Sequence, residues 1–296
     1  MAEFPKQAKV VIVGLGGIVG SAIAHHLIEL GWDDIVGLDK SAIPTDIGST
    51  SHASDFCYTT GADKFTAYTT RYSQQFFESR GNYVRCGGLE VARVDDDARM
   101  LELKRKIGQG KAFGSRVSLI SPAEAKAKFP LLAEDQIQGA LWDPDAGLVV
   151  PRSQKVAGDL VDEAVASGKL KAFPNTPALK IVVEEGRVIG VETRRGFIAS
   201  EKVVLSVGIW GPLLADQVGS KLPLMPLEHP LLFFGPYDEL TGSGQEIVYP
   251  LFRDQGNSSY VRDTGDPKTT EGGRVEWGYY ETEHPRLVHA RDIAAP

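Results

Sequence analysis

The stretch that decides the fold is Lys9-Val-Val-Ile-Val13-Gly14-Leu-Gly16-Gly17-Ile-Val-Gly20. Four consecutive β-branched residues read as a short buried strand, and they run straight into glycines. Val19, Ile23, Leu27 and Leu30 then recur near helical spacing, and Gly31 marks the helix end. Asp34–Asp39 reads as a second short strand closing on an acid. This strand, loop, helix, strand order is a nucleotide-binding βαβ start. Glycines let the backbone turn tightly and approach a pyrophosphate, while the helix offers free N–H groups and its positive end. Gly14, Gly16, Gly17, Ile18, Val19 and Gly20 are therefore candidate cofactor contacts. Asp39, 25 residues after Gly14, is placed to accept hydrogen bonds from ribose hydroxyls. A lone glycine pattern is weak, but with strand, helix and distal acid it is strong. The spacing departs from the usual one. Gly20 comes four residues after Gly16 instead of three, so the loop either bulges or changes its phosphate contact. NAD and FAD sites share this unit, and Lys40, beside the acid, does not choose between them.

Outward from this unit, Ser41–Ala62 reads as a Ser/Thr/Gly-rich loop. Phe65, Tyr68, Tyr72 and Phe76 fall at helical spacing. A strand at Leu89–Val94 and a charged helix at Asp97–Gln109 follow, the run Asp95-Asp96-Asp97 serving as the helix start. Ser121-Pro122-Ala123-Glu124 carries a capping box with proline at the first helical position, and that helix stops before Pro130. Pro151–Ser167 is a further helix ended by Gly168. Lys180–Glu184 and Arg187–Thr193 flank Glu185-Gly186 as a hairpin, and Phe197–Ala199 adds a third strand. Lys202–Val207 is an apolar return strand. From Gly211 onward the chain reads as strands punctuated by proline and glycine. The plan is α/β.

Composition narrows the function classes. The chain has 296 residues, 32 Lys+Arg and 39 Asp+Glu, for a net charge of −7. That balance disfavours a broad nucleic-acid-binding face. A hydrophobic content of 42% with 24% charged residues is that of a globular chain, not a disordered one. Two cysteines, Cys57 and Cys86, make no disulfide framework, and a reduced compartment is the expectation. No apolar run approaches a membrane span, and the start Met1–Lys9 reads as too short and polar for a signal peptide, so none is expected. Cytoplasm is the expected location, with the mitochondrial matrix as the alternative although no presequence is visible. Histidines and cysteines show no metal-ligand spacing.

The second chemical signal is Gly48-Ser49-Thr50-Ser51-His52-Ala53. Taken alone, His52 reads as a surface or hydrogen-bonding histidine on a flexible loop. The loop follows the second strand of a dinucleotide unit, however. Together with the glycine loop, Gly87-Gly-Leu-Glu-Val-Ala92, Ser121-Pro-Ala-Glu124 with Phe129-Pro-Leu-Leu132, Gly208-Ile-Trp-Gly211, Pro226-Leu-Glu-His229 and Tyr260-Val-Arg-Asp-Thr-Gly265, it resembles one group over nearly the whole chain. The sequence is similar to the flavin-dependent amine oxidoreductases, in particular the N-terminal part of dimethylglycine oxidase, dimethylglycine dehydrogenase and sarcosine dehydrogenase. The resemblance implies FAD, attached covalently at His52 through the 8α carbon of the ring. It implies cofactor contact at the return strand, with Gly208 and Trp210, and it places His229 and Tyr260 beside substrate as the catalytic pair. Two departures stand out. Ser54-Asp55 replace the Pro-Gly or Ala-Gly that often follows the histidine, and Val261 stands where some members carry a second tyrosine. Arg262 stays open between a carboxylate partner and an ordinary ion pair. His25 and His26 read as surface or packing residues of the first helix.

The expected fold is thus a Rossmann-like FAD-binding domain with a β meander, interleaved with an α+β substrate domain on a mostly antiparallel sheet. Expected boundaries are 1–85 and 150–218 for the cofactor part, and 86–149 and 219–296 for the substrate part. The resemblance further implies that the chain ends within the substrate sheet. The expected activity is FAD-dependent oxidation of a small N-methylated amino acid such as dimethylglycine or sarcosine, giving an iminium. The expected partners are that amine and an acceptor, either oxygen or an electron-transfer protein, with no nucleic acid, membrane or metal. Two alternatives are a cofactor-binding fragment without activity and an NAD-dependent Rossmann dehydrogenase.

Overall fold

The computed structural model describes residues 3–61, 63–266 and 272–293. Met1, Ala62 and Pro296, which bound expected segments, lie outside them. The chain divides into two units, each discontinuous in sequence. The first comprises Met1–Ala53, Arg152–Glu228 and Leu287–Pro296; the second comprises Ser54–Pro151 and His229–Arg286.

The first unit is built on a parallel sheet in the order Val203–Leu205, Val10–Val13, Ile35–Leu38, Leu170–Phe173. All four residues of Val10–Val13 are buried, as expected of a strand covered on both faces. Period-2 alternation sorts its side chains. Val11 and Val13 pack with Val36, Leu38 and Phe173 against Ile181, Val191 and Ile198 of the meander. Val10 and Ile12 pack with Ile35 and Leu170 against Ala24, Val161 and Ala164. The latter belong to the helices Ile18–Glu29 and Ser153–Ala166. Each fully buried Val or Ile here contributes roughly 1.5–3 kcal/mol relative to exposure. The meander itself is the antiparallel sheet Ala178–Glu184, Arg187–Thr193, Gly196–Ala199. The edge strand Leu170–Phe173 escapes sequence reading because its pattern, buried only at both ends, has no clear period.

The second unit carries a seven-stranded sheet. Its order is Leu231–Phe234, Val275–Tyr279, Ser259–Asp263, Leu251–Asp254, Gly88–Arg93, Ile137–Asp143, Ser118–Ile120. Only the pair Leu251–Asp254 with Gly88–Arg93 is parallel. The helix Asp97–Ala112 covers one face through Met100, Leu103 and Ile107. The helix Pro122–Lys128 and the turn after it cover part of the other, where Ala125 and Phe129 meet Leu89 and Val91. Its capping box is complete: Ser121 N–H donates to Glu124 Oε2 at 2.8 Å and Glu124 N–H to Ser121 Oγ at 3.3 Å.

Three expectations need correction. The first unit ends at Ala53, not near residue 85. Strands Phe56–Cys57 and Tyr83–Arg85 both pair with Gly147–Val149, and Tyr58 Oη donates to Leu89 O and Leu251 O. These bonds bind residues 54–85 to the second unit. At the other boundary the first unit runs to Glu228 instead of residue 218. Past Gly211 the chain first forms a short helix, Gly211–Ala215, with proline in its first turn; Pro212 is accommodated there because its missing N–H has no helical partner to lose.

Candidate active site

In the first unit the glycine loop is closed by the return strand and by the acid of the second strand. Gly14 has φ +89°, and a Cβ on it would lie 2.5 Å from Ser206 O. Ser206 in turn donates its Oγ–H to Val13 O at 2.9 Å and its N–H to the same carbonyl at 2.8 Å. Gly16 N–H donates to Asp39 Oδ2 at 2.8 Å. Asp39 Oδ1 accepts the N–H and the hydroxyl of Ser41, each at 3.0 Å. Only 7% exposed, Asp39 therefore has a job the sequence did not disclose: it fastens the loop after the first strand to the end of the second. A ribose would find it already holding three donors.

The extra residue in the glycine spacing makes no bulge. Gly17 is the N-cap, and the helix starts regularly at Ile18. Gly20 sits in its first turn so close to Gly14 O that a Cβ there would overlap it. The loop fits a dinucleotide on its own chemistry. Among the described residues, the N–H groups of Gly17, Val19 and Gly20 have no acceptor. The first helical turn holds no acidic residue, so its positive end is left for an anion.

The histidine loop is pinned to the same helix start. Ile18 N–H donates to Thr50 Oγ1 at 3.0 Å. Gly48 O collects the N–H and hydroxyl of Ser51, at 3.1 and 2.8 Å, and His52 Nδ1 at 3.1 Å. A proton on Nδ1 directed at Gly48 O leaves the lone pair of the neutral ring on Nε2, and the His52 side chain is exposed. Ser49 is exposed as well. Lys40 and Trp210, neighbours of the two strand ends, meet each other: the ammonium lies 3.4 Å from the indole centroid, a cation–π contact. Burial draws the Lys40 ammonium below its ordinary value against the pull of Asp39. Trp210 Nε1 is buried without a partner among the described residues. Gly208, at φ +52°, opens the turn that carries Trp210.

In the second unit, Tyr260 lies on Ser259–Asp263, in register with Arg253 on one side and Gly278 on the other. Its ring lies across Gly278, where any Cβ would collide with it. Tyr260 packs 5.2 Å from Phe56 and 5.6 Å from Tyr280. His229 meets Tyr280 edge-on at 4.7 Å. The two sequence-predicted residues of this unit are thus joined through Tyr280, which sequence reasoning missed. Burial pushes the Tyr260 phenol above its ordinary value. His229 Nδ1 is buried with no partner among the described residues. Arg262 is settled by its neighbour: Nη2 pairs with Glu276 at 2.8 Å, both side chains buried. Asp55, where resembling chains often carry glycine, has φ +62°, a conformation glycine adopts freely and aspartate tolerates.

Residues 9–295 match a family model described as FAD dependent oxidoreductase. A pyruvate dehydrogenase phosphatase regulatory subunit of Mus musculus is 29% identical over 97% of this chain and 32% of its own. A formaldehyde-forming 4-methylaminobutanoate oxidase of Paenarthrobacter nicotinovorans is 31% identical over 96% of this chain and 33% of its own. The chain thus spans about a third of the length of these relatives. Among solved structures, L-proline dehydrogenase from P. horikoshii superposes with a TM-score of 0.80 at 24% identity. It covers 95% of this chain and 73% of that one.

Proposed function

The chain belongs to the FAD-dependent oxidoreductase family, and from that premise we propose that it oxidises a small N-methylated amino acid of the dimethylglycine or sarcosine type. That membership overturns the NAD-dependent alternative. The observation that carries the substrate class is the cluster of Phe56, Tyr260, Tyr280 and His229 in the second unit. Aromatic rings attract an alkylammonium through their electron-rich faces, the more so when it is shielded from water.

Bound FAD supplies the two-electron acceptor for the C–H bond beside nitrogen, after which the substrate iminium hydrolyses in water. The chain's residues do the rest. Gly17, Val19 and Gly20 offer N–H donors to the pyrophosphate, and Asp39 keeps the loop that presents them in shape. A protonated amine does not release hydride, so its proton has to leave first. His229, with Nδ1 unpartnered, is the group assigned to hold it. Tyr260 positions the amine and keeps its own proton. His52 is the proposed point of covalent attachment, through Nε2.

Support from the relatives is coarser than this assignment. The oxidase of P. nicotinovorans acts on an N-methylated amino acid by its name, whereas the Mus musculus relative is named as a regulatory subunit. The test is spectroscopic. Purified protein is precipitated in acid, and anaerobic holoprotein is mixed with dimethylglycine, sarcosine and 4-methylaminobutanoate. Yellow colour staying with the precipitate, lost in His52→Ala, supports the linkage. Bleaching by at least one amine supports the activity; no bleaching by any of the three overturns it.

A further inference from the structure

We infer that Arg253 is the cation that receives the substrate's carboxylate. This rests on the N-methyl amino acid reading above and adds the residue that selects the acid end. Two arginines stand on the strands around Tyr260, and they differ in one respect. Arg262 is already neutralised by Glu276 at 2.8 Å, with both side chains buried. The Arg253 guanidinium has neither an ion pair nor a hydrogen bond among the described residues.

Register puts Arg253 next to Tyr260. The two are direct partners across Leu251–Asp254 and Ser259–Asp263, so their side chains leave the same face of the sheet. The guanidinium lies 4.1 Å from the Tyr58 centroid and 5.2 Å from that of Phe56. Phe56 is the ring that Tyr260 meets at 5.2 Å. Arg253 and Tyr260 therefore flank one aromatic side chain. Stacking engages the flat faces of a guanidinium and leaves its in-plane N–H donors unspent.

The platform is rigid. Tyr58 is buried, and its hydroxyl donates to Leu89 O at 2.9 Å and Leu251 O at 3.1 Å. A half-buried cation without a counter-ion has lost part of its hydration and gained no anion in return. A carboxylate arriving at its edge restores that balance through paired, charge-assisted bonds. With the aromatic cluster for the ammonium end, the second unit then recognises both ends of a zwitterion.

Anaerobic calorimetry on the holoprotein with its flavin already chemically reduced, so that no turnover adds heat, decides it, using dimethylglycine and its carboxylate-free counterpart N,N-dimethylethylamine. Wild type binds dimethylglycine more tightly. Arg253→Met raises its Kd about 10- to 100-fold, the loss of a charged hydrogen-bonded pair, and leaves the Kd of the plain amine unchanged. Arg253→Lys falls between. Unchanged dimethylglycine affinity in Arg253→Met overturns the inference. Wild type binding neither amine would overturn the substrate reading instead. A second measurement needs no variant: phenylglyoxal labelling of Arg253, read by peptide mass spectrometry. Dimethylglycine and acetate slow it if the inference holds. Equal labelling with and without both anions overturns it.

Discussion

Asp39 Oδ2 accepts the N–H of Gly16 at 2.8 Å, so the acid that ends the second strand shapes the loop that follows the first. Asp39→Ala leaves the N–H groups of Gly16 and Ser41 without this acceptor. At about 1–3 kcal/mol for each of these two buried donors left unpaired, a loss of about 2–6 kcal/mol is expected. Urea unfolding of the FAD-free protein measures it. The same variant binds FAD more weakly, whereas a residue serving the ribose alone would leave FAD-free stability unaltered.

Glycines of this chain separate by what surrounds them. A Cβ at Gly20 overlaps Gly14 O, whereas one at Gly108, inside Asp97–Ala112, meets nothing within 4 Å. Gly20→Ala should lower stability by about 1–3 kcal/mol or more, as overpacking does. Gly108→Ala should raise it by roughly 0.5–1 kcal/mol through helix propensity. Thermal melts of the two variants check the opposite signs.

Asp145 is held below its ordinary carboxyl value of 3.8, first by the hydrogen bond from Arg116 and then by the charges of Arg116 and Arg85. Arg116 Nε reaches Asp145 Oδ2 at 2.8 Å. A depressed folded value means that folding favours the ionised form. The contribution is full above the unfolded value and is lost as pH falls through the folded one. Melting temperature should therefore drop below about pH 4, and Asp145→Asn should drop less steeply over that range while melting lower at pH 7. Parallel acid limbs for the two proteins would contradict this.

Burial pushes the Cys57 thiol to about 11 and the Cys86 thiol to about 12. At pH 8 roughly a thousandth or less of either is thiolate, the reactive form. Iodoacetamide should label neither residue in the folded protein over an hour and both within minutes in urea. Intact mass before and after unfolding reads this directly.

Elements whose signals are local were legible in the sequence. The strand into Gly14, the capping box at Ser121 and the hairpin at Glu185-Gly186 depend on neighbours along the chain, and each stands where it was expected. The seven-stranded sheet was less so, since its registers join Arg253 to Tyr260 and Leu251 to Gly88, and pairing partners leave no mark at fixed spacing. Arg253 and Tyr280 were missed for that reason. His229 and Tyr260 were named through resemblance; their shared neighbour needed the fold. Asp39 was found by position, but its bond to Gly16 was not, because the sequence does not show how closely two loops approach.

The parallel sheet that opens at Val10 is completed by Val203–Leu205. During synthesis Ser206, which holds Val13 O and Gly14 O, follows the cofactor loop by almost two hundred residues. The nucleotide cradle is thus made well before it acquires its backing. Pairing over such separations is slow, so a translational pause or premature stop before that strand leaves the glycine loop without the wall that shapes it.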